Sequence, residues 1–160
     1  MDFITYQAIT SLLLQSAHIL DSDDLSTWPD LFMPDGQYRL QSRENFDAGL
    51  PLSVMHLTSQ AMLRDRVYAV AQTIYHEPYY QRHVCSAPAL LMDAQGDADG
   101  GVQAQTSYIV IRTQRDKMPQ ILSTGRYIDH IVQRDGAWLF QSRSAIFDND
   151  LIPNSIIKPV

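Results

Sequence analysis

The stretch that decides the fold is Ile121-Leu-Ser-Thr-Gly-Arg-Tyr-Ile-Asp-His-Ile-Val-Gln-Arg-Asp-Gly-Ala-Trp-Leu-Phe-Gln-Ser-Arg-Ser-Ala-Ile-Phe147. Two β-rich runs flank Asp135-Gly136, a dipeptide suited to the positive φ angles of a type I′ turn, so the stretch reads as an antiparallel hairpin. A half-exposed strand alternates apolar and polar residues, and these runs do not. On the first arm Ile128 and Val132 share a parity with His130, while Tyr127 and Ile131 share the other with Asp129. On the second, Trp138, Phe140 and Ile146 fall on one face and Ala137, Leu139, Ala145 and Phe147 on the other. A sheet that is apolar on both faces needs two covers. The chain's own helices supply one, and the expected second is a neighbouring subunit. Trp138 and Phe140 are assigned to the helix-facing side.

Upstream of the hairpin the pattern changes from strands to helices. Ile9, Leu12, Leu13, Ala17 and Leu20 recur at three- and four-residue spacing and predict a helix from Thr5 to about Leu20. Asp21-Ser-Asp-Asp24 ends it and offers caps for a short helix through Leu25, Trp28 and Leu31-Phe32. Pro34-Asp-Gly36 reads as a turn, Gln37 to Gln41 as a short strand, and Ser42 to His56 as a long loop. A further helix is expected from Thr58 to Ala71. An aromatic loop through Tyr75 to His83 then leads into a strand from about Arg82 to Met92. Gly96 to Gly101 is a turn, and Val102 to Thr113 a long strand. Helices followed by an antiparallel meander make an α+β fold rather than alternating βαβ units.

The 160 residues form a single domain, 1–160, long enough to bury roughly 70% of the unfolded surface. A net charge of −6 without a Lys/Arg cluster argues against nucleic acid as a partner. No run reaches membrane-spanning length and no leader pattern opens the chain, so a cytoplasmic location without membrane contact is expected. Cys85 is the one cysteine, which excludes an internal disulfide, and its apolar neighbours make it an inert thiol.

Chemistry has few footholds. The histidines at 18, 56, 76, 83 and 130 are scattered, and no metal-ligand spacing occurs. Folding could bring His76, Glu77 and His83 together, but a hydrogen-bonded loop explains them as well, and no metal is assigned. Asp23, Asp24, Tyr38 and His83 are the one set able to do general acid/base work, although Asp23 and Asp24 also serve as helix caps. Arg126, Asp129 and Arg143 are charged residues set in apolar strands. They must pair with each other or across an interface, and they are the interface candidates.

Several motifs together resemble a family. Asp21-x-x-Asp24, Trp28-Pro-x-Leu-Phe32-x-x-Asp35-x-x-Tyr38, Met62-Leu-x-Asp65-Arg66-Val, Tyr75-x-Glu, Tyr80-x-Arg82-His83, Thr124-Gly-Arg-Tyr-x-Asp129 and Arg143 with Phe147-Asp148 occur in the order found in small (β) subunits of bacterial aromatic-ring-hydroxylating dioxygenases. Asn45-Phe-Asp-Ala-Gly-Leu50 is most similar to the branch acting on benzoate-type acids such as terephthalate, salicylate or anthranilate. The resemblance implies a cystatin-like, nuclear-transport-factor-two-like cone, in which a curved antiparallel sheet wraps around N-terminal helices. It implies assembly with a large α subunit, as a heterohexamer with three copies of each. That α subunit carries a Rieske [2Fe–2S] cluster and a mononuclear iron, and one cysteine cannot supply a Rieske ligand set here. The chain itself is then a structural, non-catalytic part of an oxygenase. The same scaffold also hosts metal-free dehydratases, isomerases and cyclases, for which Asp24, Tyr38 and His83 would be the catalytic residues.

Overall fold

A computed structural model describes residues 2–91, 100–151 and 156–160. The first helix, α1 (Phe3–Asp21), begins where the Asp2 carboxylate accepts the Thr5 N–H at 2.8 Å, and ends where the Ser22 hydroxyl donates to the Ile19 carbonyl. A 3-10 turn at Trp28–Leu31 feeds strand β1 (Phe32–Ser42). The stretch read as a loop contains a short helix, α2 (Arg43–Asp47), capped by Ser42, and a strand, β2 (Met55–Leu57), which pairs with β1. Helix α3 (Gln60–Tyr68) continues into a π-helical turn at Ala69–Thr73.

The strand expected from Arg82 to Met92 is two strands, β3 (Tyr79–Cys85) and β4 (Ala89–Leu91), both paired with β5 (Val102–Gln114). The turn expected at Gly96 to Gly101 lies mostly outside the described residues. The hairpin is β6 (Gln120–Arg134) and β7 (Ala137–Phe147). Asp135 and Gly136 have φ of 51° and 82°, the pair of left-handed conformations a type I′ turn requires.

The strand order is β2-β1-β7-β6-β5-β3, with β4 also on β5. All neighbours run antiparallel except β1 and β7, so the sheet is mixed where an antiparallel one was expected. The long connection from β1 through α2, α3 and β3 to β6 brings the last strand back beside the first.

Registers define two faces. One inner row reads Ala104, Asp129, Arg143, Tyr38 across β5, β6, β7 and β1, and the next reads Thr106, Tyr127, Ala145, Leu40. With Ile9, Leu13, Leu20, Trp28 and Leu63 from the helical side, these rows enclose the core. Trp28 anchors it, its ring meeting Phe32 and Tyr38 edge-on at 5.2 Å each.

The opposite face reads Gln105, Ile128, Ser144, Arg39 and then Ser107, Arg126, Ile146, Gln41. The expected second apolar face is therefore a mixed one, with Ile128 and Ile146 set among serine, glutamine and arginine side chains. The reason is a bulge. His130 pairs with Ser142 but Ile131 with Phe140, leaving Gln141 without an opposite residue. The extra residue reverses the parity of β7, so Phe140 and Arg143 both point inward, as do Ala145 and Phe147.

Candidate functional site

The inner face holds a set of polar groups with little access to water. Asp129 and Arg143 are opposite each other on β6 and β7, and are 0% and 2% exposed. Arg143 donates from Nε to Asp129 Oδ1 at 2.9 Å and from Nη2 to Oδ2 at 3.1 Å, the two-pronged geometry that guanidinium and carboxylate share. Its Nη1 donates to Ser16 Oγ at 2.8 Å, and Trp28 Nε1 donates to the same oxygen at 3.2 Å. The guanidinium also lies 4.2 Å from the Tyr127 ring centre and 4.4 Å from that of Phe140. Burial raises the Asp129 carboxyl above the usual carboxylate range, and Arg143 pulls it back towards the ionised form. The network ties α1, the 3-10 turn, β6 and β7 together.

Asp129 and Arg143 pair with each other, one of the two expected arrangements, and their burial inside the chain corrects their placement as interface residues. Arg126 is on the outer face, 3.6 Å from Asp47 and 5.7 Å from the Phe46 ring centre, so its partners come from α2. Asp148 pairs instead with Arg43 at 3.3 Å.

The acid/base set does not assemble. Asp24 is exposed, and its carboxylate accepts the Ser26 N–H at 2.8 Å, which holds its carboxyl below the usual range. It lines a surface cleft with Asp23 and His76, and neither Tyr38 nor His83 lines that cleft. The Tyr38 hydroxyl is buried and donates to the Val160 carbonyl at 2.7 Å, while accepting the Val160 N–H at 3.1 Å. The segment 156–160 is thus held inside the fold. Arg66 donates to the carbonyls of Ile156 and Ile157, and Gln81 to that of Pro159. His83 has no exposed side-chain surface. Its Nδ1 is 2.6 Å from Asp21 Oδ1, its main-chain N–H donates to the same carboxylate, and its Nε2 is buried without a partner.

The trio His76, Glu77 and His83 also fails to converge. His76 Nδ1 lies 3.0 Å from the Glu77 carbonyl, and the Glu77 side chain is taken by Gln114 and Lys117. Among the described residues no group of three or more His, Cys, Asp and Glu side chains could hold a metal ion. Burial pushes the Cys85 thiol above its ordinary value, which keeps it protonated and a poor nucleophile.

Two partners carry weak signals in the sequence. Asp21 reads there as part of a helix stop and cap, with nothing local to pair it with His83. Ser16 occupies the apolar stripe of α1, four residues from both Leu12 and Leu20, and a lone hydroxyl on a buried stripe was the available sign of an internal partner.

A helix-covered curved sheet with this inner polar row matches the model of the SnoaL-like domain over residues 3–144, and the chain belongs to that family. Within it, the chain is similar to small subunits of aromatic dioxygenases. It is 29% identical to the anthranilate 1,2-dioxygenase small subunit of Burkholderia cepacia, over 92% of this chain and 91% of that protein. It is 28% identical to a β subunit of the terminal oxygenase component of terephthalate 1,2-dioxygenase from Comamonas sp., over 90% and 91%. The crystal structure assigned as the β subunit of an aromatic-ring-hydroxylating dioxygenase from Novosphingobium aromaticivorans superposes with a TM-score of 0.86 at 31% identity, over 98% of this chain and 97% of that one. Among the described residues no helix is long and apolar enough to cross a membrane.

Proposed function

We propose that this chain is the non-catalytic β subunit of a cytoplasmic aromatic-ring-hydroxylating oxygenase acting on a benzoate-type acid. The observation that carries the reading is the state of the inner polar groups. Tyr38 is engaged by Val160, and Arg143 by Asp129 and Ser16, so neither is free to move a proton on a substrate. The Rieske cluster and the mononuclear iron belong to a large α subunit. The single cysteine here does not fit a centre that takes two cysteines and two histidines. The chain's contribution is a rigid body that orders α subunits, with three copies of each as the stoichiometry.

Two surfaces suit such contacts. Leu50, Leu52 and Val54 are 46%, 64% and 54% exposed in one short segment beside Phe46, an apolar patch for the α subunit to cover. The outer sheet face, where Ile128 and Ile146 lie among Ser107, Ser144, Gln41 and Gln105, is the surface for a second copy of this chain. The test is co-expression with a large iron-containing oxygenase subunit: the two should co-purify, and ring hydroxylation should require the large one. Turnover of any substrate by this chain alone would overturn the assignment.

A second reading, a metal-free acid/base enzyme, retains one observation in its favour, the buried Asp21–His83 pair with its unpartnered Nε2. Replacing His83 with Ala in the assembled complex separates the two. A structural role costs stability, whereas a catalytic one removes turnover with assembly intact.

A further inference from the structure

A cleft of about 320 Å³ separates the end of α3 and its π-helical turn from the start of β3 and the segment 156–160. Leu25, Val67, Val70 and Pro78 give it chiefly apolar walls, and Tyr79 and Lys158 face it from the other side. Lys158 is the one Lys or Arg among the lining residues, and it is 6% exposed. Its Nζ lies 5.4 Å from the Tyr79 ring centre, and no described carboxylate comes within ion-pair distance of it. An ammonium withdrawn from water without a counter-ion is unfavourable, and one aromatic face offsets only part of that cost. Nor is the lysine free to swing away, because its neighbours are pinned on both sides. Arg66 donates to the Ile157 carbonyl at 2.6 Å, and Gln81 to the Pro159 carbonyl at 3.0 Å. Arg66 also has no carboxylate partner among the described residues, and its Nε is buried and unbonded. Two cations without counter-ions thus act on one small region around Tyr79. The other polar groups of the cleft are engaged or in water. Asp24 accepts the Ser26 N–H, His76 Nδ1 is 3.0 Å from the Glu77 carbonyl, and Asp23, Ser26, Tyr68 and Gln72 are exposed.

We propose that this cleft binds a small aliphatic monocarboxylate, with the carboxylate on Lys158 Nζ and the chain against Leu25, Val67 and Val70. The single charge follows from the rim, where the exposed carboxylates of Asp23 and Asp24 repel any second one on the ligand. The aliphatic body follows from the walls. These are branched hydrocarbon side chains, and the Tyr79 ring is already met by the Lys158 ammonium and by the His76 ring at 5.7 Å. A cavity of ~150 Å³ holds the six carbons of benzene, so about twice that volume takes a chain of about six carbons with its carboxylate. The site is built by this chain alone and does not depend on the subunit reading.

Hexanoate and 1-hexanol, equal in chain length, are the probes, titrated into the 160-residue chain and followed by saturation-transfer NMR. Hexanoate should bind saturably in the millimolar range or below, and about tenfold more tightly than 1-hexanol. Adipate, which adds a second carboxylate to the same six carbons, should bind at least about tenfold more weakly than hexanoate. Lys158→Met keeps an apolar stem and removes the charge, so it should erase the preference for hexanoate while leaving 1-hexanol binding in place. Lys158→Arg should retain the preference. Ala71→Trp, at an exposed position on the π-helical turn, should weaken hexanoate and 1-hexanol by at least about tenfold by filling the entrance. Absence of saturable hexanoate binding by the wild-type chain up to about 10 mM would overturn the proposal. So would an unchanged hexanoate-to-hexanol ratio in Lys158→Met, and adipate binding as tightly as hexanoate would overturn the assignment of a single charge. Should Lys158→Met fail to fold, unchanged affinities in Ala71→Trp would still exclude the cleft as the site.

Discussion

Asp129 and Arg143 show how much a single buried pair constrains a small domain. Taking two charges out of water is costly, and the cost is offset here by two parallel N–H···O bonds, a third bond to Ser16 and two aromatic faces. Removing one partner leaves the other charged and buried. Asp129→Ala should therefore cost about 3–5 kcal/mol, read from urea unfolding midpoints, whereas Asp129→Leu with Arg143→Met should recover most of that loss. Equal stability of the single and double variants would show that the pair contributes little. The inner tyrosines make a second residue-scale prediction. Burial pushes the Tyr108 hydroxyl up to about 12, and those of Tyr38 and Tyr127 also well above an ordinary phenol. The folded chain thus holds these protons more tightly than the unfolded chain, whose phenols ionise near pH 10. The linked stability is complete below pH 10 and is lost as pH rises beyond it. In an alkaline absorbance titration, Tyr38, Tyr108 and Tyr127 should ionise only together with unfolding.

At the scale of elements, β6 and β7 carry both what the sequence revealed and what it concealed. Asp135-Gly136 announced the hairpin because few dipeptides tolerate two positive φ angles, and the structure has both. Helix α1 was equally plain from its apolar spacing. The facing of β7 is legible as far as Trp138 and Phe140, which face the core as expected, and not beyond, since counting parity assumes an unbroken pleat and the bulge at Gln141 breaks it. By that one residue an inward Arg143 reads as an interface charge, and Ala145 and Phe147, both in the core, read as outward-facing. The site suffered for a different reason. The partners of Tyr38 and His83, Val160 and Asp21, are far away in sequence, and nothing local in the chain pairs them. The curvature itself can be tested at Gly125, where an added Cβ would fall 2.0 Å from the Ile146 carbonyl oxygen. That oxygen belongs to the paired strand and cannot swing aside as a side chain would. Gly125→Ala should destabilise the chain by about 2–3 kcal/mol, as overpacking against backbone does. Gly136→Ala is the control, with no atom within 4 Å of the added carbon, and its cost should reflect only the positive φ.

For the whole molecule, the question is which surface meets which neighbour. The interior is closed to this role, so Arg143→Glu should unfold the chain rather than disturb an interface, because it sets a second carboxylate against Asp129 within the core. Two outer surfaces remain, and they differ in chemistry. The segment around Leu50, Leu52 and Val54 is apolar and exposed, the character of a patch covered by a partner. The outer sheet face is mixed, with Ile128 set between Gln105 and Ser144 and Ile146 between Arg126 and Gln41, the character of a contact that pairs apolar with polar groups. If the first meets the α subunit and the second another copy of this chain, one substitution in each should break one contact and spare the other. Leu52→Asp should abolish co-purification with the α subunit while leaving self-association intact. Ile128→Glu should shift the isolated chain towards monomer in sedimentation, through like charges brought together across a two- or threefold axis. Both residues lie outside the core, so the chain's own unfolding midpoint should move little with Leu52→Asp. Loss of both contacts with either variant would mean that the surfaces are one, and unchanged assembly with both would mean that neither is an interface.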